Sequence, residues 1–180
     1  MTDIHLRAAT LADAPAIARL HVASWRRAYR DLAPPDVFDA MDEPLRLARW
    51  SAMLAEPQAE QAVVLAQVGG QLAGLGMAAS PSQAAFGARG EVRSLYLDPQ
   101  FKRMGLGRRL MGALAEQIGA WGYDGAALGV VVGNDPALAF YDALGGRAAG
   151  RYTDPGPMWR SQNVILIWDR LSDLIEPRSS

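Results

Sequence analysis

The sequence predicts a single domain of mixed α/β (α+β) class, and three observations predict it. First, strand-like and helical segments interleave along the whole 180-residue chain. Their order is strand, helix, helix, three strands, helix, strand, helix and two strands, which suits one layered core. Second, Gly69-Gly70 separates two apolar runs and signals a two-residue hairpin, hence antiparallel pairing. Third, residues 125–132 form a short apolar run between two helical segments, as a buried parallel strand does. Together these imply a mixed sheet. With no internal repeat and no second-domain boundary, residues 1–176 read as one domain and residues 177–180 as a frayed tail.

Each element has a local reason. Residues 4–8 read as a first strand. Thr10-Leu11-Ala12-Asp13 resembles a capping box with Asp in the acidic position, opening a helix over residues 11–29. Ile17, Leu20, Ser24 and Ala28 fall on one stripe of that helix. Pro34-Pro35 ends it, and a second helical region covers residues 36–55 with an interruption near Pro44. Strands at residues 61–68 and 71–79 flank the hairpin turn. A further strand at residues 91–97 ends at Asp98-Pro99, and a helix spans residues 107–121. Asn134-Asp135-Pro136 caps the next helix, which stops at Gly145-Gly146. Residues 147–153 and 163–169 read as a closing strand pair around a loop containing Trp159.

Composition excludes several functions. The chain has no Cys, so disulfides, thiolate metal sites and a cysteine nucleophile are ruled out. With two His and no Cys, no metal is expected. A net charge of −1 removes the electrostatic case for nucleic acid or an anionic membrane. No run approaches the roughly 18 apolar residues of a membrane span, and the first residues lack a signal-peptide stretch. The chain reads as cytoplasmic.

The strongest chemical signal is Leu95-Tyr96-Leu97-Asp98-Pro99-Gln100-Phe101-Lys102-Arg103-Met104-Gly105-Leu106-Gly107-Arg108. A strand ends, a tight turn follows and a helix begins. The first helical turn has N–H groups without intrahelical partners, and the helix dipole adds positive potential there. Gly105 and Gly107 permit close backbone approach to an anion, and Lys102, Arg103, Arg108 and Arg109 add charge. The same glycines equally suit a tight turn with close helix packing. The segment is neither a dinucleotide-binding Gly-x-Gly-x-x-Gly, since residue 110 is Leu, nor a nucleotide P-loop.

This segment closely resembles motif A of the GNAT N-acetyltransferase superfamily, Gln/Arg-x-x-Gly-x-Gly/Ala after a strand ending in apolar-Asp-Pro, with Lys102 in the first position. Asn134-Asp135-Pro136-Ala137-Leu138-Ala139-Phe140-Tyr141-Asp142-Ala143-Leu144-Gly145-Gly146 resembles motif B, with Gly146 where Phe is expected, a change that loosens that packing position. The spacing between the blocks is also that of the family. The resemblance covers nearly the whole chain. It implies the acyl-CoA N-acyltransferase fold, a mostly antiparallel, twisted mixed sheet of about seven strands flanked by about four helices. It also implies acetyl transfer from acetyl-CoA to a primary amine by direct attack in a ternary complex. The N–H groups of Arg103, Met104, Gly105, Leu106, Gly107 and Arg108 would hold the CoA pyrophosphate. The backbone of Leu95, Tyr96 and Leu97 would pair with the pantetheine arm. Family habit implies a homodimer.

Attack on a thioester needs a neutral amine. An alkyl amine of pKa about 10.4 costs about 4 kcal/mol to deprotonate near pH 7.5, an α-amine near 8 under about 1 kcal/mol. A base is therefore most useful for alkyl amines. By resemblance, Glu91 is the candidate base working through water; it equally suits a strand-end carboxylate. Tyr141 matches the motif B tyrosine that protonates the leaving thiolate, or else packs between helix and sheet. Asn134 would contact CoA, cap its helix, or both. His21, Trp25 and Tyr29 share a helix face. Trp25, Tyr29 and Trp159 are candidate acceptor-site walls, with core packing the competing role. Asp31, Asp36, Asp39, Asp42 and Glu43 form a solvated face that could also attract a cationic acceptor. The acceptor itself, a small amine or a protein N-terminus, is left open. An acyl-CoA sensor without turnover is the alternative function.

Overall fold

A computed structural model describes residues 3–175. Its strands are β1 (Ile4–Ala8), β2 (Gln61–Val68), β3 (Gln71–Ala79), β4 (Gly90–Leu97), β5 (Ala126–Val131), β6 (Arg147–Asp154) and β7 (Ser161–Trp168). Its helices are α1 (Ala14–Tyr29), α2 (Pro35–Ala40), α3 (Glu43–Ala55), α4 (Leu106–Ala120), α5 (Asp135–Ala143) and the short α6 (Ser172–Ile175). One seven-stranded sheet runs in the order β1-β2-β3-β4-β5-β7-β6. Every neighbouring pair is antiparallel except β4–β5. α1 and α3 cover one face against β2 and β3, with Ile17, Trp50, Leu65 and Leu75 in that core. α4 and α5 cover the other, where Met111, Leu114 and Ile118 meet Leu128 and Trp168.

The fold class and strand positions follow the sequence, and three details differ. The second helical region breaks before Pro44, at Met41, where Asp42 caps α3 by accepting from the Leu45 N–H at 2.8 Å. Pro44 then sits in the first turn, where a missing N–H costs nothing. There are six α-helices among the described residues rather than about four, because this break separates α2 from α3 and because α6 is too short to leave a periodic signal. On α1, Ile17 and Leu20 are buried but Ser24 is part-buried and Ala28 exposed, because this end of the helix lines an open cleft beside β4 and β5. Thr10 and Asp13 do form the cap: the Asp13 carboxylate accepts from the Thr10 N–H at 2.8 Å, and it also receives two Arg7 bonds at 2.7 and 2.8 Å. The proposed tail at 177–180 lies outside the described residues.

What matters for the site is how closely α4 sits on the sheet. A Cβ at Gly74 would stand 3.2 Å from Leu110 Cδ1, one at Gly76 2.7 Å from Leu114 Cδ1, and one at Gly90 2.5 Å from Ile118 Cγ2. Leu110, Leu114 and Ile118 recur every turn on one helix face, and three glycines on β3 and β4 receive them. The start of α4 is thereby held against the end of β4.

Candidate active site

β4 and β5 pair only at Gly90–Ala126 and Glu91–Ala127, then part. Beyond Glu91, β4 bonds to β3 on one side and leaves its other edge unpaired. The β3–β4 register also slips between Met77 and Ala78, leaving Arg93 as a bulge. Bulges bend a strand and concentrate beside functional sites. The parted strands enclose a cleft of about 560 Å³, lined by Leu95, Tyr96 and Leu97 on one wall, Asn134 and Tyr141 on the other, and Lys102 at one end.

At that end the chain turns with Arg103 at φ 64°. Gly105 caps α4 in the left-handed conformation (φ 71°) without any side chain bonded to the first turn. The N–H groups of Leu106, Gly107 and Arg108 have no carbonyl one turn earlier in the helix to accept them. Lys102 and Arg103 are exposed, Met104 and Arg108 part-buried, and Leu106 and Gly107 buried. Gly105 has open space where a Cβ would be. Gly107 does not: a Cβ there would stand 2.7 Å from Phe140 Cζ and 3.3 Å from Leu97 Cδ1. Residue 107 is glycine so that α5 can lie against α4.

Asn134 caps α5 through a long 3.4 Å bond from the Ala137 N–H. Tyr141, two turns on, packs edge-on against Phe140 and Trp168. Burial pushes its hydroxyl well above the usual phenol range, with Tyr29 and Tyr96 adding to the effect, so it stays protonated near neutrality. Gly146 does not loosen the packing, contrary to expectation. A Cβ there would stand 2.8 Å from Trp168 Cζ2, and the indole lies directly against this glycine while donating to the Leu144 carbonyl at 3.1 Å.

On the far side of the β4–β5 apex lie two further cavities, of about 280 and 540 Å³. Glu91 lines both and not the 560 Å³ cleft; Tyr141 lines only the cleft. The cleft and the smaller cavity share Tyr29, Val92, Arg93 and Gly129 as a common wall. Glu91 Oε2 accepts from the Ser82 N–H at 2.7 Å and faces Arg93 Nε at 3.4 Å. Trp25, Tyr29 and Trp159 come together: ring centroids lie 5.0 Å apart for Trp25–Tyr29 and 5.8 Å for Tyr29–Trp159. All three line the smaller cavity, though Trp25 is only 8% exposed and belongs chiefly to the core.

The sequence profile of the Acetyltransferase (GNAT) family matches residues 22–145, more than half of the chain. The chain belongs to the GNAT acetyltransferases. An uncharacterized N-acetyltransferase of Bacillus subtilis, YuaI, is 28% identical over 172 residues, 95% of this chain and 96% of that protein. Among solved structures, the PaiA N-acetyltransferase of Thermoplasma acidophilum in complex with coenzyme A superposes with a TM-score of 0.73 at 16% identity, covering 92% of this chain and 98% of that one. The YncA acetyltransferase of Salmonella typhimurium, with acetyl-CoA, gives 0.66 at 18% identity over 99% and 97%. These likenesses bear out the mixed, mostly antiparallel GNAT fold.

Arg46, Arg49 and Tyr152 escaped the sequence reading. Arg46 and Arg49 reach these two cavities from α3, whereas Asp36, Asp39, Asp42 and Glu43 line neither of them. Of the acidic stretch, Asp31 lines the 560 Å³ cleft and the other four residues are exposed. Tyr152 crosses β5 so closely that a Cβ at Gly129 would overlap its hydroxyl. A glycine inside an apolar strand was the available signal. His21 is buried, accepts from Trp50 Nε1 at 3.0 Å and stacks on Tyr96 at 4.4 Å. Burial lowers its pKa to about 3, with Arg46 and Arg49 adding to the effect, so it is neutral. Ser24 Oγ, in the cleft wall, is the one buried side-chain polar atom without a hydrogen-bond partner among the described residues. No cluster of three potential metal ligands occurs among them, and no helix is long and apolar enough to cross a membrane.

Proposed function

We propose that this GNAT protein moves an acetyl group from acetyl-CoA to a primary amine by direct attack within a ternary complex. The observation that carries the reading is the contiguity of the two compartments. The cleft with Tyr141 and the unpaired β4 edge meets the cavity with Glu91 at a wall shared through Tyr29, Val92, Arg93 and Gly129. That arrangement separates donor from acceptor and brings them together at one place.

The residues present fit acetyl-CoA. The free N–H groups at the start of α4, beside Lys102, Arg103 and Arg108, suit a pyrophosphate. The open β4 edge at Leu95, Tyr96 and Leu97 suits an amide-bearing arm that adds as a strand. Asn134 adds an amide to the cleft wall. The cosubstrate supplies a thioester, an acyl group already activated toward amines. A backbone N–H near Leu97 polarises its carbonyl. Glu91 receives the amine proton, through water, on the acceptor side. The Tyr141 hydroxyl gives a proton to the departing sulfur. Trp25, Tyr29 and Trp159 form the apolar wall beside the amine.

The test is release of free thiol from acetyl-CoA in the presence of an amine panel. The protein has no Cys, so every thiol detected is CoA. Acceptor-dependent release is expected. Tight acetyl-CoA binding without release from any amine would overturn the proposal.

A further inference from the structure

The acceptor-side cavities carry a charge arrangement that an amine alone does not explain. Three guanidinium groups line them, from Arg46, Arg49 and Arg93, with two carboxylates, Glu91 and Asp154. Arg93 is occupied: its Nε faces Glu91 at 3.4 Å and its Nη2 donates to the Ser80 carbonyl at 3.0 Å. Arg46 is part-buried, yet its partners are two thioethers, Met41 Sδ at 3.0 Å and Met158 Sδ at 2.7 Å. Sulfur is a weak acceptor, a poor match for a group that prefers carboxylates bidentately. Arg49, one turn along the same face of α3, has no ion pair among the described residues. Burying a cation is costly unless an anion accompanies it. Here part-buried Arg46 and exposed Arg49 line cavities without an ion pair to Glu91 or Asp154, the two carboxylates there.

We propose that the acceptor is a small amino acid-like zwitterion, whose carboxylate is bound by Arg46 and Arg49 while its ammonium faces Glu91 and Asp154. The proposal rests on the acetyltransferase reading and names its substrate class. The cavities are lined by charges of both signs, and the guanidiniums of Arg46 and Arg49 come from α3. Glu91 stands at the β4–β5 apex, and Asp154 at the end of β6, its Oδ1 accepting from the Gly156 N–H at 3.0 Å. Met158 and Trp159 bound the space between with apolar surface, which suits a small side chain. The larger volume, about 540 Å³, is in the range of small-molecule sites, and the smaller, about 280 Å³, lies just below it. A polyamine would place further cations against Arg46 and Arg49 and would be repelled.

The test uses the full chain at saturating acetyl-CoA, comparing thiol release with amino acids, the same amino acids as carboxamides, aminophosphonates, and a diamine. Free amino acids are expected to exceed their carboxamides by about tenfold to a hundredfold in kcat/KM, the worth of a charge-assisted contact. Arg49→Gln, at an exposed position that does not threaten folding, raises KM for the amino acid by about tenfold without changing KM for acetyl-CoA. Arg46→Gln should do the same more strongly. Carboxamides or the diamine turning over as well as amino acids would overturn the inference and leave the acetyltransferase reading standing. So would an unchanged amino acid KM in Arg49→Gln, or a preference for the phosphonates over the carboxylates. Acetyl-CoA binding without release from any acceptor would overturn both.

Discussion

On the proposed function, the donor side and the acceptor side of this molecule are built from different materials. The donor side is mainly backbone: an unpaired β4 edge, a left-handed Gly105, and N–H groups at the start of α4. The acceptor side is mainly side chains, brought from α1, α3, β4, β6 and the loop before β7. Backbone geometry serves a ligand portion that never varies, because any sequence with glycines at the right places can make it. Side chains serve a ligand portion that differs among enzymes. The donor side should therefore tolerate chemical change but not steric change, and the acceptor side the reverse.

His21 offers the largest effect on the acceptor side, because it is buried between Trp50, Tyr96 and the α3 arginines. In the unfolded chain its imidazole takes a proton near pH 6.5; in the fold it does so only near pH 3. Between these values the unfolded state holds more protons, so stability falls as pH falls, intact above about 6.5 and fully lost near 3. Each tenfold difference in proton affinity is worth about 1.4 kcal/mol. Urea unfolding of His21→Gln, which retains an acceptor for Trp50 Nε1, should lose about 3 kcal/mol less than the wild type between pH 7 and pH 4. Parallel curves would mean that other groups dominate acid unfolding.

Tyr141 is the exception to a backbone-built donor side, and removing one oxygen tests it. Tyr141→Phe keeps the ring against Phe140 and Trp168 and should leave CoA affinity, measured by calorimetry, unchanged. Turnover should fall about a hundredfold if the hydroxyl is the general acid. An unchanged kcat would reduce Tyr141 to a packing residue. Gly107 tests the steric half of the comparison. Gly107→Ala should cost about 1–3 kcal/mol in denaturant unfolding through overpacking against Phe140. Adding Phe140→Leu should recover most of it, since the clash is with the far end of that ring.

The same division explains what could be read from the sequence. Gly105, the Asn134 cap and the Gly69-Gly70 hairpin are local requirements, written within a few adjacent residues. The family motifs lie on the donor side for that reason. The acceptor cavities join positions 21, 46, 49, 91, 152 and 159, and no local pattern marks such a set. Arg46 and Arg49 look like any polar positions on an amphipathic helix. Which way α3 faces depends on where α2 stops, and Pro44 was ambiguous because proline fits a helix start as well as a helix break. Ala28 is exposed because a periodic stripe implies packed side chains beneath the whole helix, and Ala28 lines the open cleft.

Glu91 stands beside Val92 of the shared wall, on the acceptor side alone, and its substitution separates a structural role from a chemical one. Glu91→Gln keeps an oxygen to accept the Ser82 N–H, so the loop before β4 stays in place, while the basic group is removed. If Glu91 receives the amine proton, kcat should fall about tenfold for an acceptor amine of pKa about 10.4, and less for one near 8, which is already largely neutral. Raising the pH should shrink the deficit, because the neutral fraction of an alkyl amine grows about tenfold per pH unit below its pKa. A deficit of equal size for both amines and independent of pH would assign Glu91 to holding the Ser82 loop and Arg93. An acceptor-dependent, pH-rescued deficit has no structural explanation, since the fold does not respond to the pKa of the substrate.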